Sequence, residues 1–192
     1  MRRAPLEGEL DMLDCRSLNL LGALVVSVHD KMTEMVEAEL GMGGQAPAAL
    51  VTITHNPGKS VVFLSGALRL SHPGCVRLVD KLVRAGLVER GEGQDKRSLA
   101  LTLSAAGKRR SQEILRARRK ALELFAQPLH RQQQTQLTEL LEIMLRETAT
   151  TKKAGDTACR LCEEQHCPQP QCPITQGFTR KSNAAGSRGA TP

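Results

Sequence analysis

The 192-residue sequence predicts a mainly α fold with one small β-hairpin, and three observations predict it. Apolar residues recur at helical spacing over the first forty residues and again beyond residue 105. Leu99, Leu101 and Leu103 alternate with Ala100 and Thr102, which is the period of a strand. Breakers at Asn56-Pro57-Gly58 and at Gly86 cut the region between into short pieces.

The elements follow in order. Leu10, Leu13, Leu21, Leu24, Val28, Met32 and Met35 predict a long helix over residues 8–40. Gly41 to Pro47 reads as a loop, with short helices predicted over 47–56 and 60–69. Ser71 is placed as the N-cap of a helix running to Ala85. Pro73 falls in its first turn, where a missing N–H costs little, and Gly86 stops it. Leu87-Val88-Glu89-Arg90, a polar tip at Gly91 to Arg97, and Ser98 to Leu103 form the hairpin. Ser104 caps a helix over 105–126, broken before Pro128, and a last helix covers 129–148. From Thr150 onward Thr, Gln, Pro, Gly and Cys dominate, and little regular structure is expected. No internal repeat stands out.

Charge narrows the function. The net charge is +7. Residues 6–40 hold two Lys or Arg against eight Asp or Glu, whereas residues 58–120 hold fifteen against five. Positive charge concentrated in one segment is the footprint of a phosphate-binding surface. Trp and Tyr are absent and Phe occurs three times, which argues against surfaces that stack unpaired bases on aromatics. The longest apolar run, Leu18 to Val28, is interrupted by Asn19, Gly22 and Ser27. It falls short of the ~20 residues that a membrane helix needs. Arg2 and Arg3 are followed by Pro5 and acids, which is not a secretory pattern, so no membrane partner and a cytoplasmic location are expected.

Helix, turn, helix and hairpin in that order suit duplex DNA. One helix fits the major groove, a second braces it, and the hairpin reaches the adjoining minor groove. On the 71–86 helix, Cys75, Val79, Leu82 and Val83 form an apolar face, while Arg77, Lys81 and Arg84 lie opposite. His72 and Gly74 sit at the end where a recognition helix meets base edges. The hairpin tip carries Lys96 and Arg97 beside Asp95.

Residues 70–82, then Gly86-Leu87-Val88-Glu89-Arg90, then Asp95-Lys96-Arg97 and Leu103-Ser104-Ala105-Ala106-Gly107 resemble the MarR family of regulators. The family pattern of D-x-R, five residues, then L-[TS]-x-x-G is matched. The resemblance covers about residues 8–148 and is most specific over 70–107. It implies a winged helix-turn-helix with a helical dimerisation region. The implied units are an N-terminal dimerisation helix (1–45), a DNA-binding domain (46–104), C-terminal dimerisation helices (105–149) and a flexible Cys-containing tail (150–192). It places Ser71, His72, Gly74, Arg77 and Lys81 at or near the major groove. Arg97, beside Lys96, would enter the minor groove, oriented by Asp95. The outer helices would intertwine with a second copy. That fits their surplus of Ile114, Leu115, Leu122, Phe125, Leu137, Leu140, Leu141, Met144 and Leu145. The expected partners are double-stranded DNA, a second copy of the chain and a small-molecule effector. The expected behaviour is repression of transcription.

Cys159, Cys162, Cys167 and Cys172 form C-x2-C-x4-C-x4-C in a chain with two other cysteines. In a reducing compartment, metal binding leads over disulfides, and thiolates suit tetrahedral zinc. His166 is an alternative third ligand. A redox switch and an iron–sulfur cluster remain open for the same thiols. Cys15 and Cys75 read as buried apolar cysteines. An enzyme is not expected. Gly91-x-Gly93 with Lys96 only faintly suggests a phosphate loop, and a strand follows it rather than a helix. His29, His55 and His130 read as surface or packing residues. The competing class is a metal or redox sensor acting mainly through protein contacts at the Cys cluster.

Overall fold

The computed structural model describes residues 14–92, 99–167 and 169–186. Helix α1 spans Cys15–Leu40, α2 Ala46–His55, α3 Val61–Leu68 and α4 His72–Arg84. Strands β1 (Val88–Glu92) and β2 (Leu99–Leu103) form an antiparallel pair, with Val88 opposite Leu103 and Glu92 opposite Leu99. Helices α5 (Ala105–Ala126) and α6 (Arg131–Thr148) follow, then α7 (Lys152–Ala158) and α8 (Pro173–Gly186). Single 3-10 turns at Glu164–His166 and Gln169–Gln171 join the last two. The first helix, expected from residue 8, is described from Cys15, and residues 1–13 lie outside the described chain.

Side-chain caps set the helix starts. Ser60, Ser71, Ser104 and Thr151 each accept the backbone N–H three residues on, at 3.4, 3.2, 3.0 and 3.2 Å. Each such cap contributes about 1 kcal/mol. Asp14 does the same for α1 through Ser17, and His130 opens α6 in a reciprocal pair with Gln133. Gly41 and Gly86 stop the helices before them with φ of +69° and +68°, a conformation that costs a β-carbon residue strain.

Helix α2 is the centre of the core. Ala46 to Ile53 are all buried, the signature of a helix covered on every side. It packs on α5, α3 and β2, and α5 runs along α1. Leu50, Val51, Leu64, Val79, Leu82, Leu101 and Ile114 fill the interior. Leu101 exchanges backbone hydrogen bonds with Gly58 and Lys59, which fastens the hairpin to the loop after α2. Among the described residues no helix is long and apolar enough to cross a membrane.

The segment beyond residue 150 differs from expectation. It folds into α7, two turns and α8, and it docks as a C-terminal cap on α3 and α6. The expectation of little regular structure treated cysteine as a chemical group. Here cysteine also acts as a small hydrophobe. Ala149, Cys172 and Ile174 form a second core, with Ala154, Cys159 and Cys167 packed against it.

Candidate nucleic-acid interface and thiol cluster

Helix α4 presents two chemistries. Cys75, Val79 and Leu82 are fully buried. The Cys75 thiol faces the Val61 carbonyl at 3.7 Å, and burial pushes it up to about 11, so it stays protonated in the core. Ser71, His72, Arg77, Lys81 and Arg84 are exposed, and Gly74 is half-buried. A Cβ on Gly74 would stand 3.0 Å from the capping Ser71 hydroxyl, so glycine keeps the first turn tight. The turn into α4 runs through Arg69, which closes α3 in the left-handed conformation at φ 53°.

The hairpin is locked to α4 from two sides. Arg90 on β1 pairs with Asp80 on α4 at 2.6 Å. At the hairpin's base, Ser104 donates its hydroxyl to the Gly86 carbonyl at 2.6 Å and its N–H to the Leu87 carbonyl at 3.1 Å. Gly107 lies so close to that turn that a Cβ there would overlap the Leu87 carbonyl. The Leu-Ser-x-x-Gly signature is therefore a mechanical clamp between the end of α4 and the start of α5. Asp95, Lys96 and Arg97, expected at the hairpin tip, lie outside the described residues.

A second exposed surface is apolar. Leu18, Leu20, Leu21, Leu24, Val25 and Val26 on α1, and Leu140, Leu141, Ile143, Met144 and Leu145 on α6, are 37–60 % exposed. Helix α6 has no buried residue. Of the apolar residues singled out in α5, Ile114 and Leu115 are buried in the core, and Leu122 and Phe125 are half-buried. Cys15, expected to be buried, is exposed at the start of α1. Its turn carries no apolar neighbour that the core reaches.

The four tail cysteines are brought together, and all are free thiols. Cys159 closes α7, with its N–H on the Gly155 carbonyl at 2.9 Å. Cys162 donates its N–H to the Cys159 carbonyl at 2.8 Å, and Cys167 to Glu164 at 3.0 Å. Cys172 precedes α8 and is 4 % exposed. The Cys159 side chain bonds to Cys162 and to Cys172, and Cys167 bonds to Cys172. The Cys159 thiol beside it holds Cys162 down to about 7 against burial. The Arg118 charge assists and Glu164 opposes. The same contact and burial push Cys159 up, and burial pushes Cys167 up to about 11. As the side chains stand, no three His, Cys, Asp or Glu among the described residues are arranged to hold a metal ion. His166 faces Arg119 at 3.3 Å and Glu163 at 3.5 Å.

Sequence reasoning missed the residues that dock this cap. His55 Nε2 meets the Cys162 carbonyl at 3.0 Å, and its Nδ1 lies 3.6 Å from Glu164. Thr52 donates to the Arg160 carbonyl at 3.4 Å. Arg119 pairs with Glu163, and both Arg180 and Lys181 pair with Glu147. Burial works to raise the Glu163 carboxyl, but hydrogen bonds from Arg119 and Gln165 and the Arg119 and His166 charges hold it below the usual range.

Residues 40–98 match the sequence pattern of the MarR family. No curated protein matches the chain. The structure is similar to a MarR transcriptional regulator from Methanosarcina mazei, at 22 % identity and TM-score 0.56, over 66 % of this chain and 94 % of that one. It is also similar to the YusO protein from Bacillus subtilis, at 17 % and 0.58, over 69 % and 97 %. A MepR mutant from S. aureus, bound to an oligodeoxyribonucleotide, is similar at 18 % and 0.54, over 67 % and 95 %. The clamp at Gly107, the cationic face of α4 and the element order are thus found in a chain whose residues 40–98 match the MarR family and whose fold is that family's winged helix-turn-helix.

Proposed function

We propose that the chain is a DNA-binding transcriptional regulator, not an enzyme, that binds a palindromic duplex as a homodimer. The observation that carries this is the exposed Arg77, Lys81 and Arg84 row on α4, held rigid by the buried Cys75, Val79 and Leu82 on its other face. In this reading Ser71, His72, Gly74, Arg77 and Lys81 address the major groove. Lys96 and Arg97 reach the minor groove, with Asp95 orienting Arg97. A large apolar surface on a globular chain marks an interface. The exposed leucines and valines of α1 and α6 therefore support pairing with a second copy through residues 1–45 and 105–149. The regulator acts as a cytoplasmic repressor, released by a small ligand, a metal or an oxidant. A cavity of about 110 Å³ between α1 and α2, bounded by Met32, Val36, Pro47, Arg160 and Leu161, supports a ligand at the junction of the two lobes.

Sedimentation should give a dimer at micromolar concentration, with half-sites about one helical turn apart in selected duplexes. Arg77→Ala should cost about 1–3 kcal/mol of binding and relax base preference. Arg97→Ala should weaken all duplexes similarly. Each lost phosphate contact should flatten the salt slope by about 0.9. Monomeric protein, or both mutants binding like wild type, would remove the reading. A metal or redox sensor acting through protein contacts remains the second reading, favoured by the convergence of the four tail thiols.

A further inference from the structure

We propose that Cys159, Cys162, Cys167 and Cys172 form a tetrathiolate site for a divalent ion of the zinc class, and that the ion staples the C-terminal cap across the helix-turn-helix and the long helices α5 and α6. The proposal does not rest on DNA recognition, because it concerns only how the cap is held.

The backbone supplies the first argument. Two tight turns, Cys162 N–H onto Cys159 and Cys167 N–H onto Glu164, curl the chain so that ligands distant by up to thirteen positions meet. The side chains run as a connected string, Cys162 to Cys159 to Cys172 to Cys167, with no disulfide among them. A zinc–sulfur bond of ~2.3 Å sets tetrahedral sulfurs about 3.8 Å apart, a separation that thiol hydrogen bonds also span. The protonated string is not itself a closed ligand set. Binding supplies the closure. One Zn²⁺ replaces four S–H protons, forming four Zn–S bonds and releasing four protons, with no electron transferred. The product carries two negative charges, and Arg118 lies within charge range of Cys162 to offset them.

The size of the second core supplies the other argument. Ala149, Cys172 and Ile174 are its buried members among the described residues. A core this small does not hold a segment of this length by burial alone, and small folds of this kind rely on a metal or a disulfide. The site sits where a staple has purchase on several elements. Cys162 offers its carbonyl to His55 on α2, its neighbour Glu163 pairs with Arg119 on α5, and Glu147 on α6 receives Arg180 and Lys181 of α8.

The test uses the full chain purified under reducing, chelator-free conditions. Elemental analysis should find about one zinc per chain. Cobalt should replace it with the visible spectrum of a tetrahedral Co(II) thiolate. Cys162→Ser and Cys172→Ser should each lose the metal and the spectrum, while Cys15→Ser keeps both. Stripping zinc from the wild type should open residues 152–181 to limited proteolysis, leave residues 15–148 helical, and be reversed by added zinc. This arm needs no variant to fold. Metal-free protein with four reactive or oxidised tail thiols, retention of zinc by both variants, or iron with labile sulfide would each overturn the proposal. So would a stripped cap that stays as protected as before.

Discussion

Residues 46–115 bury Leu50, Leu64, Leu82, Leu101 and Ile114 almost completely, whereas residues 149–186 bury Ala149, Cys172 and Ile174 among those described. Each large aliphatic side chain contributes about 1.5–3 kcal/mol when taken out of water. The first region can therefore close on area alone. The second closes on point contacts: the thiol string, the His55 and Thr52 bonds, and the ion pairs at Glu163 and Glu147. The contrast means that the cap can leave without the winged helix unfolding, but the winged helix cannot unfold without losing the cap, because α2 and α3 are the surface on which the cap sits.

The sharpest break in that comparison is inside the larger core. Leu82 is fully buried beneath the cationic face of α4. Leu82→Ala should cost about 2–5 kcal/mol of global stability through the lost transfer energy and the cavity left behind. Denaturant unfolding should show the cap and core melting together in this variant. A cap that persists after the core has melted would reverse the dependence argued above.

A smaller effect is expected from the cap's side. Gly177 on α8 packs so closely on α6 that a Cβ would overlap the Arg146 carbonyl. Gly177→Ala should therefore lift α8 at a cost of roughly 1–3 kcal/mol, the usual range for overpacking. Hydrogen exchange should speed up in α8 while the amides of α2 and α4 keep their protection. Equal loss in both regions would show one cooperative unit in place of two.

How legible each region was follows from the same contrast. The starts of α4 and α5 were readable because Ser71 and Ser104 stand three residues before glycines whose N–H groups they cap. The apolar faces of α1 and α6 were readable from spacing, although one chain leaves them uncovered. The cap was not readable. Its composition is polar, and its buried positions are cysteines, alanines and one isoleucine that no helical period picks out. His55 was read as a surface or packing residue because its partner is a backbone carbonyl 107 positions away. No residue-type pattern encodes such a contact. The spacing of the four cysteines was legible, but their joining to α2 and α5 was not.

The smallest expected effect is a pH response of the α6–α8 contact. The Glu147 carboxyl is held below its usual range, first by the hydrogen bond from Lys181 and then by the Arg180 and Lys181 charges, against slight desolvation. A carboxyl depressed in the folded state adds stability that is fully present above its unfolded value of about 4.3 and is lost as pH falls through the folded value. The Glu163 pair at the other end of the cap works in the same direction. Exchange in α8 should therefore quicken between about pH 5 and pH 3 while α2 stays protected. Because the Glu147 pairs are exposed, added salt should weaken the response. Glu147→Gln should remove its α8 share and leave that of Glu163. If the variant and the wild type lose α8 protection over the same acid range and to the same extent, the Glu147 pairs do not hold the cap, and the thiol cluster and Gly177 packing carry that end of it.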